Sequence, residues 1–221
     1  MKITVIGGGN IGLALASEVS LRTNHDVCLY TSEWFDVEQM VFQDVEKGKE
    51  YSDLRFRVFT NLEEAIKDAD YVFCTYPSFL RQKFIEEARI IIPRDCRLGF
   101  VPGYGGAEYC CSELIKEGVT VFGFQRVPYV ARQSEKRVSS VMSRKTNLYI
   151  ASIPKAYAKE ICEDIQDMLG IPSTPLSEYL TVTLVPSNPL IHLTGLYHVF
   201  KNYKEGMLFN FFVSACGVGD S

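Results

Sequence analysis

The first 22 residues constrain this chain most. A short apolar run, Lys2–Ile6, passes through Gly7-Gly8-Gly9-Asn10-Ile11-Gly12 straight into an apolar helical stretch, Asn10–Arg22. Strand, glycine turn and helix in that order are the opening of a Rossmann-type βαβ unit. Each glycine has a physical task. Gly7 permits the tight turn, Gly9 lets a pyrophosphate approach the backbone, and Gly12 lets the helix pack close to the strand. The helix start then offers free amides and a partial positive charge to the phosphates. The expected dinucleotide loop is therefore Gly7, Gly8, Gly9, Asn10, Ile11 and Gly12.

The rest of the first half keeps the same alternation. Val27–Tyr30, Arg55–Phe59, Tyr71–Thr75, Arg97–Val101 and Val119–Phe124 read as strands. Ser78–Ile90 and Ala107–Lys116 read as helices, and Thr60 or Asn61 caps a short helix with Glu63 and Glu64 in its first turn. This order implies a parallel sheet covered on both faces. Residues 34–53 are polar and mixed and read as a helix and a loop. After residue 130 the pattern changes to a strand at Asn147–Ser152 and an amphipathic helix, Ala156–Leu169, closed by Gly170. A loop-like stretch, 171–186, follows, and Asn188-Pro189 opens a second helix running to about Tyr203. The expectation is an α/β fold: a doubly wound parallel Rossmann domain over 1–185, then the N-terminal part of a helical substrate domain over 186–221, incomplete within this chain.

Composition excludes several classes. A hydrophobic content of 47% suits a packed core rather than disorder. The net charge of -4, with no stripe of Lys or Arg, argues against nucleic acid as a partner. No apolar stretch reaches the roughly 20 residues of a membrane helix, so no membrane partner and a cytoplasmic location are expected. The seven cysteines are odd in number and contain no CxxC, so free thiols and no metal site are expected. The apolar segment 208–213 needs a partner surface, which a homodimer or a further domain would supply.

The end of the second strand bears on the choice between NAD and NADP. An acidic residue there binds the ribose 2′-hydroxyl and repels a 2′-phosphate. Here the order is Tyr30-Thr31-Ser32-Glu33, with two hydroxyls first and the acid late. Thr31 and Ser32 can donate to a 2′-phosphate, so the reading leans to NADP over NAD. Thr75, Tyr76 and Pro77 end the fourth strand, on the edge where a doubly wound sheet binds its ligand, and are expected at the cofactor. Among the histidines, His25 sits in a turn and reads as solvated, and His198 is off the face of His192. His192 lies near a helix start, which favours the neutral imidazole. Its side-chain type suits proton transfer near neutral pH.

Three segments together, the glycine loop, Val127-Pro128-Tyr129-Val130-Ala131-Arg132 and Asn188-Pro189-Leu190-Ile191-His192, resemble the opine dehydrogenase family (octopine and nopaline dehydrogenase-like) over nearly the whole chain. The resemblance implies a Rossmann domain followed by an all-helical domain. It also implies reductive condensation of an amino acid with a 2-oxo acid, using NADH or NADPH. In such proteins the histidine of Asn-Pro-x-x-His acts as acid and base, which makes His192 the expected catalytic residue and places Asn188 at the substrate. The chain departs from the family pattern at Tyr104, in Pro102-Gly103-Tyr104-Gly105-Gly106, and at Arg126, before Val127-Pro128-Tyr129. Both positions lie near the oxo-acid site in the family, so Tyr104 and Arg126 are expected to hold an anionic substrate. The family's helical domain supplies an aspartate that pairs with the histidine; after His192 the carboxylates here are Glu205 and Asp220, and neither matches that role. Two other readings stand beside this one. One is a dinucleotide-binding module without turnover. The other is a protein similar to ketopantoate reductase or glycerol phosphate dehydrogenase, with Lys201 or Lys204 as the acid and base.

Overall fold

The structure, a computed structural model, describes residues 1–135, 137–185, 187–201 and 204. Of these, the side chains of residues 134, 135, 187–189, 191, 192, 198 and 199 are outside the description. The chain divides into two compact units, Met1–Thr183 and Leu184–Ser221.

The first unit is built on an eight-stranded sheet. It begins β1 (Lys2–Ile6), α1 (Asn10–Arg22), β2 (Asp26–Tyr30). A 3₁₀ turn at Val37–Gln39 then leads into β3 (Val41–Asp44), β4 (Lys49–Tyr51) and β5 (Phe56–Phe59). The alternation resumes with α2 (Leu62–Ile66), β6 (Tyr71–Cys74), α3 (Ser78–Ala88), β7 (Arg97–Phe100), α4 (Ala107–Cys110), α5 (Ser112–Lys116) and β8 (Thr120–Phe124). A hairpin follows, β9 (Tyr129–Glu135) and β10 (Val138–Arg144). The unit closes with β11 (Leu148–Ile153), α6 (Ala158–Leu169), β12 (Ser173–Pro175) and α7 (Leu180–Thr183). The strand order is β12-β11-β8-β7-β6-β1-β2-β5, a Rossmann-type arrangement. Strands β5 to β8 in this order are parallel to β1 and β2, and β11 runs antiparallel to β8. The order reverses between β1 and β6, which puts the crevice of a doubly wound sheet at the carboxyl ends of those two strands.

Period-two alternation sends successive side chains to opposite faces, and two cores result. Tyr71, Phe73, Phe122 and Phe124 share one core, with Phe73 and Phe122 edge to face at 5.7 Å. Val72, Cys74, Leu98 and Phe100 share the other. Gly99 stands where a Cβ would meet the Phe122 ring at 2.2 Å, so the absent side chain is what seats that ring. Helix α1 packs against β9, β10 and α6 as well as β1 and β2, and Gly12 to Ser20 are all buried. A helix buried nearly all round is one enclosed on both sides.

The structure corrects four expectations of local structure. Residues 34–53 form β3 and β4 rather than a helix and loop, because β3 pairs in parallel with β10 in a second sheet, ordered β4-β3-β10-β9. A partner so distant in sequence leaves no trace in local periodicity. The stretch 171–186 holds β12 and α7, and Ala107–Lys116 breaks at Cys111 into two short helices. His25 is partly buried rather than solvated, and burial followed by the amino-terminal charge lowers its pKa. In the second unit α8 runs Ser187–Lys201, and Tyr203 lies outside the described residues. No described helix is long and apolar enough to cross a membrane. All six described cysteines are free, and Cys216 lies outside the described residues.

Candidate dinucleotide site

The glycine loop closes over the end of β1. Gly7 has φ 107, a conformation open to glycine and strained for other residues. Its amide donates to Tyr30 O at 2.9 Å, which ties the turn to the end of β2. A Cβ on Gly12 would fall 1.8 Å from Gly7 O, so α1 rests directly on the turn. A Cβ on Gly9 would meet nothing within 4 Å, so the space above that residue is open. Gly9 is the N-cap of α1 and no side chain caps the helix, which leaves the first-turn amides for a ligand.

Two cavities adjoin this loop and share Gly8. One, of about 330 Å³, is lined by Gly7 to Ile11 and by Thr75, Tyr76 and Pro77. The other, of about 310 Å³, lies at the end of β2, with Thr31, Ser32, Glu33 and Trp34 on one side and Gln133 and Arg137 on the other. Thr75 Oγ1 donates to Ile6 O at 2.8 Å, so this hydroxyl fastens β6 to β1 as well as lining the cavity. The Tyr76 phenol is pushed up to about 12 by burial, with Tyr30 and Cys74 adding to the effect. It therefore stays protonated, an O–H donor at physiological pH.

Arg81, on α3, organises the loops behind the first cavity. It is 2% exposed. Its Nε donates to Tyr76 O at 3.2 Å, Nη1 to Tyr104 O at 2.6 Å and Nη2 to Pro102 O at 2.8 Å. The guanidinium lies 5.5 Å over the Phe100 ring. One side chain thus joins the loop after β6 to the loop after β7, which carries Tyr104. The sequence holds a signal for it: Arg81 falls in the stripe 81, 84, 85, 88, whose other members are apolar and buried. Arg137 and Gln133 carry no comparable signal, because only the β9–β10 hairpin brings them to the glycine loop.

Arg126 lines a different cavity, of about 290 Å³, with Lys145, Asn147 and Tyr149. The backbones of Asn188 and His192 lie in α8, and their side chains are outside the described residues. Among the described residues no group of three or more His, Cys, Asp or Glu side chains could hold a metal ion. Burial pushes the Cys74 thiol up to about 12 and the Cys162 thiol up to about 11, which favours the protonated form of both at neutral pH.

The family model for the NAD-dependent glycerol-3-phosphate dehydrogenase N-terminus matches residues 2–101. Among structures, the complex of octopine dehydrogenase with NADH and L-arginine superposes with a TM-score of 0.75 at 18% identity. It covers 95% of this chain and 57% of that one. Octopine dehydrogenase in complex with NADH and agmatine superposes with a TM-score of 0.73 at 18% identity, covering 95% of this chain and 57% of that one. A 2-dehydropantoate 2-reductase from Geobacter metallireducens GS-15 follows at a TM-score of 0.72 and 12% identity, covering 91% of this chain and 66% of that one. In sequence, the uncharacterized protein y4xO of Sinorhizobium fredii (strain NBRC 101917 / NGR234) is 24% identical over 212 residues, 89% of this chain and 56% of its own length. The chain therefore spans little more than half the length of octopine dehydrogenase and of the y4xO protein. The superpositions show a shared Rossmann fold, and the family model matches its N-terminal part.

Proposed function

We propose that this chain binds a nicotinamide dinucleotide along Gly7 to Gly12 and serves an opine dehydrogenase-type reduction. The substrate would be the imine formed from an amino acid and a 2-oxo acid, or the related carbonyl. One observation carries the reading. Two cavities meet at Gly8 on the switch point of the sheet, one beside the uncapped start of α1 and the other at the end of β2. An extended ligand with phosphates at its centre fits that shape. Residues 1–185 would form the dinucleotide domain and 186–221 the start of a helical substrate domain.

When bound, the nicotinamide supplies hydride to the unsaturated carbon. The chain's own residues do the rest. First-turn amides of α1 hold the pyrophosphate, while Thr75, Tyr76 and Pro77 border the central part of the cofactor. Thr31 and Ser32 donate at the ribose, with NADP preferred over NAD. His192 delivers the proton to the substrate nitrogen or oxygen. Tyr104, Arg126 and Asn188 would hold the substrate, the guanidinium suiting a carboxylate.

The test is nucleotide titration followed by turnover with a panel of amino acids and 2-oxo acids. His192→Ala is expected to keep nucleotide affinity and lose roughly 100-fold or more in turnover. Full turnover by that variant would remove the assigned mechanism. The 2-dehydropantoate 2-reductase neighbour favours a second reading, carbonyl reduction, and turnover of 2-dehydropantoate without any amino acid would select it.

A further inference from the structure

The cavity at the end of β2 holds two charged side chains of opposite sign. Glu33 comes from the segment after β2, and Arg137 from the turn between β9 and β10 in the second sheet. The position of Arg137 is built rather than incidental. Its carbonyl accepts from Val41 N at 2.9 Å, which pins the turn to the start of β3. Its φ of 79 marks a left-handed turn. Met40, immediately before β3, lines the same cavity, so the second sheet forms one wall of it.

Resting on the dinucleotide reading above, we propose that Arg137 reads the phosphate on the 2′ position of the adenosine ribose. The nucleotide preference is then set by the second sheet rather than by β2. A carboxylate alone in such a cavity would accept from the 2′-hydroxyl and repel a 2′-phosphate. Here Glu33 shares the cavity with a guanidinium whose planar donors match a phosphate. Thr31, Ser32 and Gln133 add neutral donors around it. Trp34, 64% exposed, offers an aromatic face to the adenine.

The experiment is fluorescence titration of the full chain and its Arg137→Gly variant with NADPH and NADH. Glycine suits φ 79, so this variant keeps the fold, checked by its melting temperature. The wild type is expected to prefer NADPH. The variant is expected to lose roughly tenfold or more in NADPH affinity while NADH affinity stays within about twofold. Arg137→Lys is expected to retain part of the preference, and added salt is expected to erode it. Unchanged preference in Arg137→Gly, or equal loss of both nucleotides, would overturn the role of Arg137 while leaving the glycine-loop site standing. Failure of the wild type to bind either nucleotide would overturn both.

Discussion

Gly9 and Gly12 lie on the same turn and respond in opposite ways to an added methyl group. The Cβ of Gly9→Ala would enter open space at a φ of -83, a conformation alanine adopts freely. That variant should melt like the wild type and bind nucleotide at least roughly tenfold more weakly, because its methyl stands where the phosphates approach. The Cβ of Gly12→Ala would strike Gly7 O at 1.8 Å, and backbone cannot step aside cheaply. That variant should lose both melting temperature and binding. Thermal melts and nucleotide titrations of the pair check this. Unchanged binding in Gly9→Ala would remove the phosphates from this loop.

At the scale of elements, the loops after β6 and β7 are held by one guanidinium. Replacing Arg81 with Met keeps an apolar stem in the buried stripe that holds Phe84 and Ile85 and removes three donated bonds at once. Each bond to a charged donor contributes about 1.5–3 kcal/mol, and the losses are not additive. A destabilisation of about 3 kcal/mol is therefore expected, measured by urea unfolding. Nucleotide KM should rise as the Tyr76 and Tyr104 loops loosen. A variant as stable as the wild type would show that the loops hold themselves.

At the scale of the molecule, the second sheet is locked to α1 by a buried charge cluster. Arg144 on β10 pairs with Glu18 on α1 at 2.7 Å and with Asp44 on β3 at 2.8 Å. Burial works to raise the Asp44 carboxyl, but the Arg144 hydrogen bonds, the Lys47 amide and both cations outweigh it and hold it below the ordinary carboxylate range. A carboxyl whose folded pKa is depressed contributes stability that is complete above its unfolded value, about 3.9, and is lost as pH falls through the folded value. The melting-temperature gap between wild type and Asp44→Asn should therefore be constant near neutrality and close below about pH 4. A gap independent of pH would place the effect in shape rather than charge. The same lock positions β9 and β10, and with them the wall that carries Gln133 and Arg137.

What the sequence determined by itself was local: the glycine turn, the strands β1, β2 and β5 to β8 with helices among them, and the amphipathic α6 all follow from short-range spacing and backbone conformation. Gly7, Gly9 and Gly12 could be assigned their tasks because each depends on residues within one turn or one strand. The expectation that Thr31 and Ser32 border a ligand likewise came from their place at a strand end. Only tertiary structure decided that residues 34–53 form strands, since the β3–β4 hairpin becomes part of a sheet only when the distant β10 pairs with β3. It also brought Arg137 beside Thr31 and gathered three loop carbonyls onto Arg81. The reason is physical. Turns and helices close their hydrogen bonds within a few residues, whereas a sheet edge or a cavity wall is completed by whatever segment the fold returns to it.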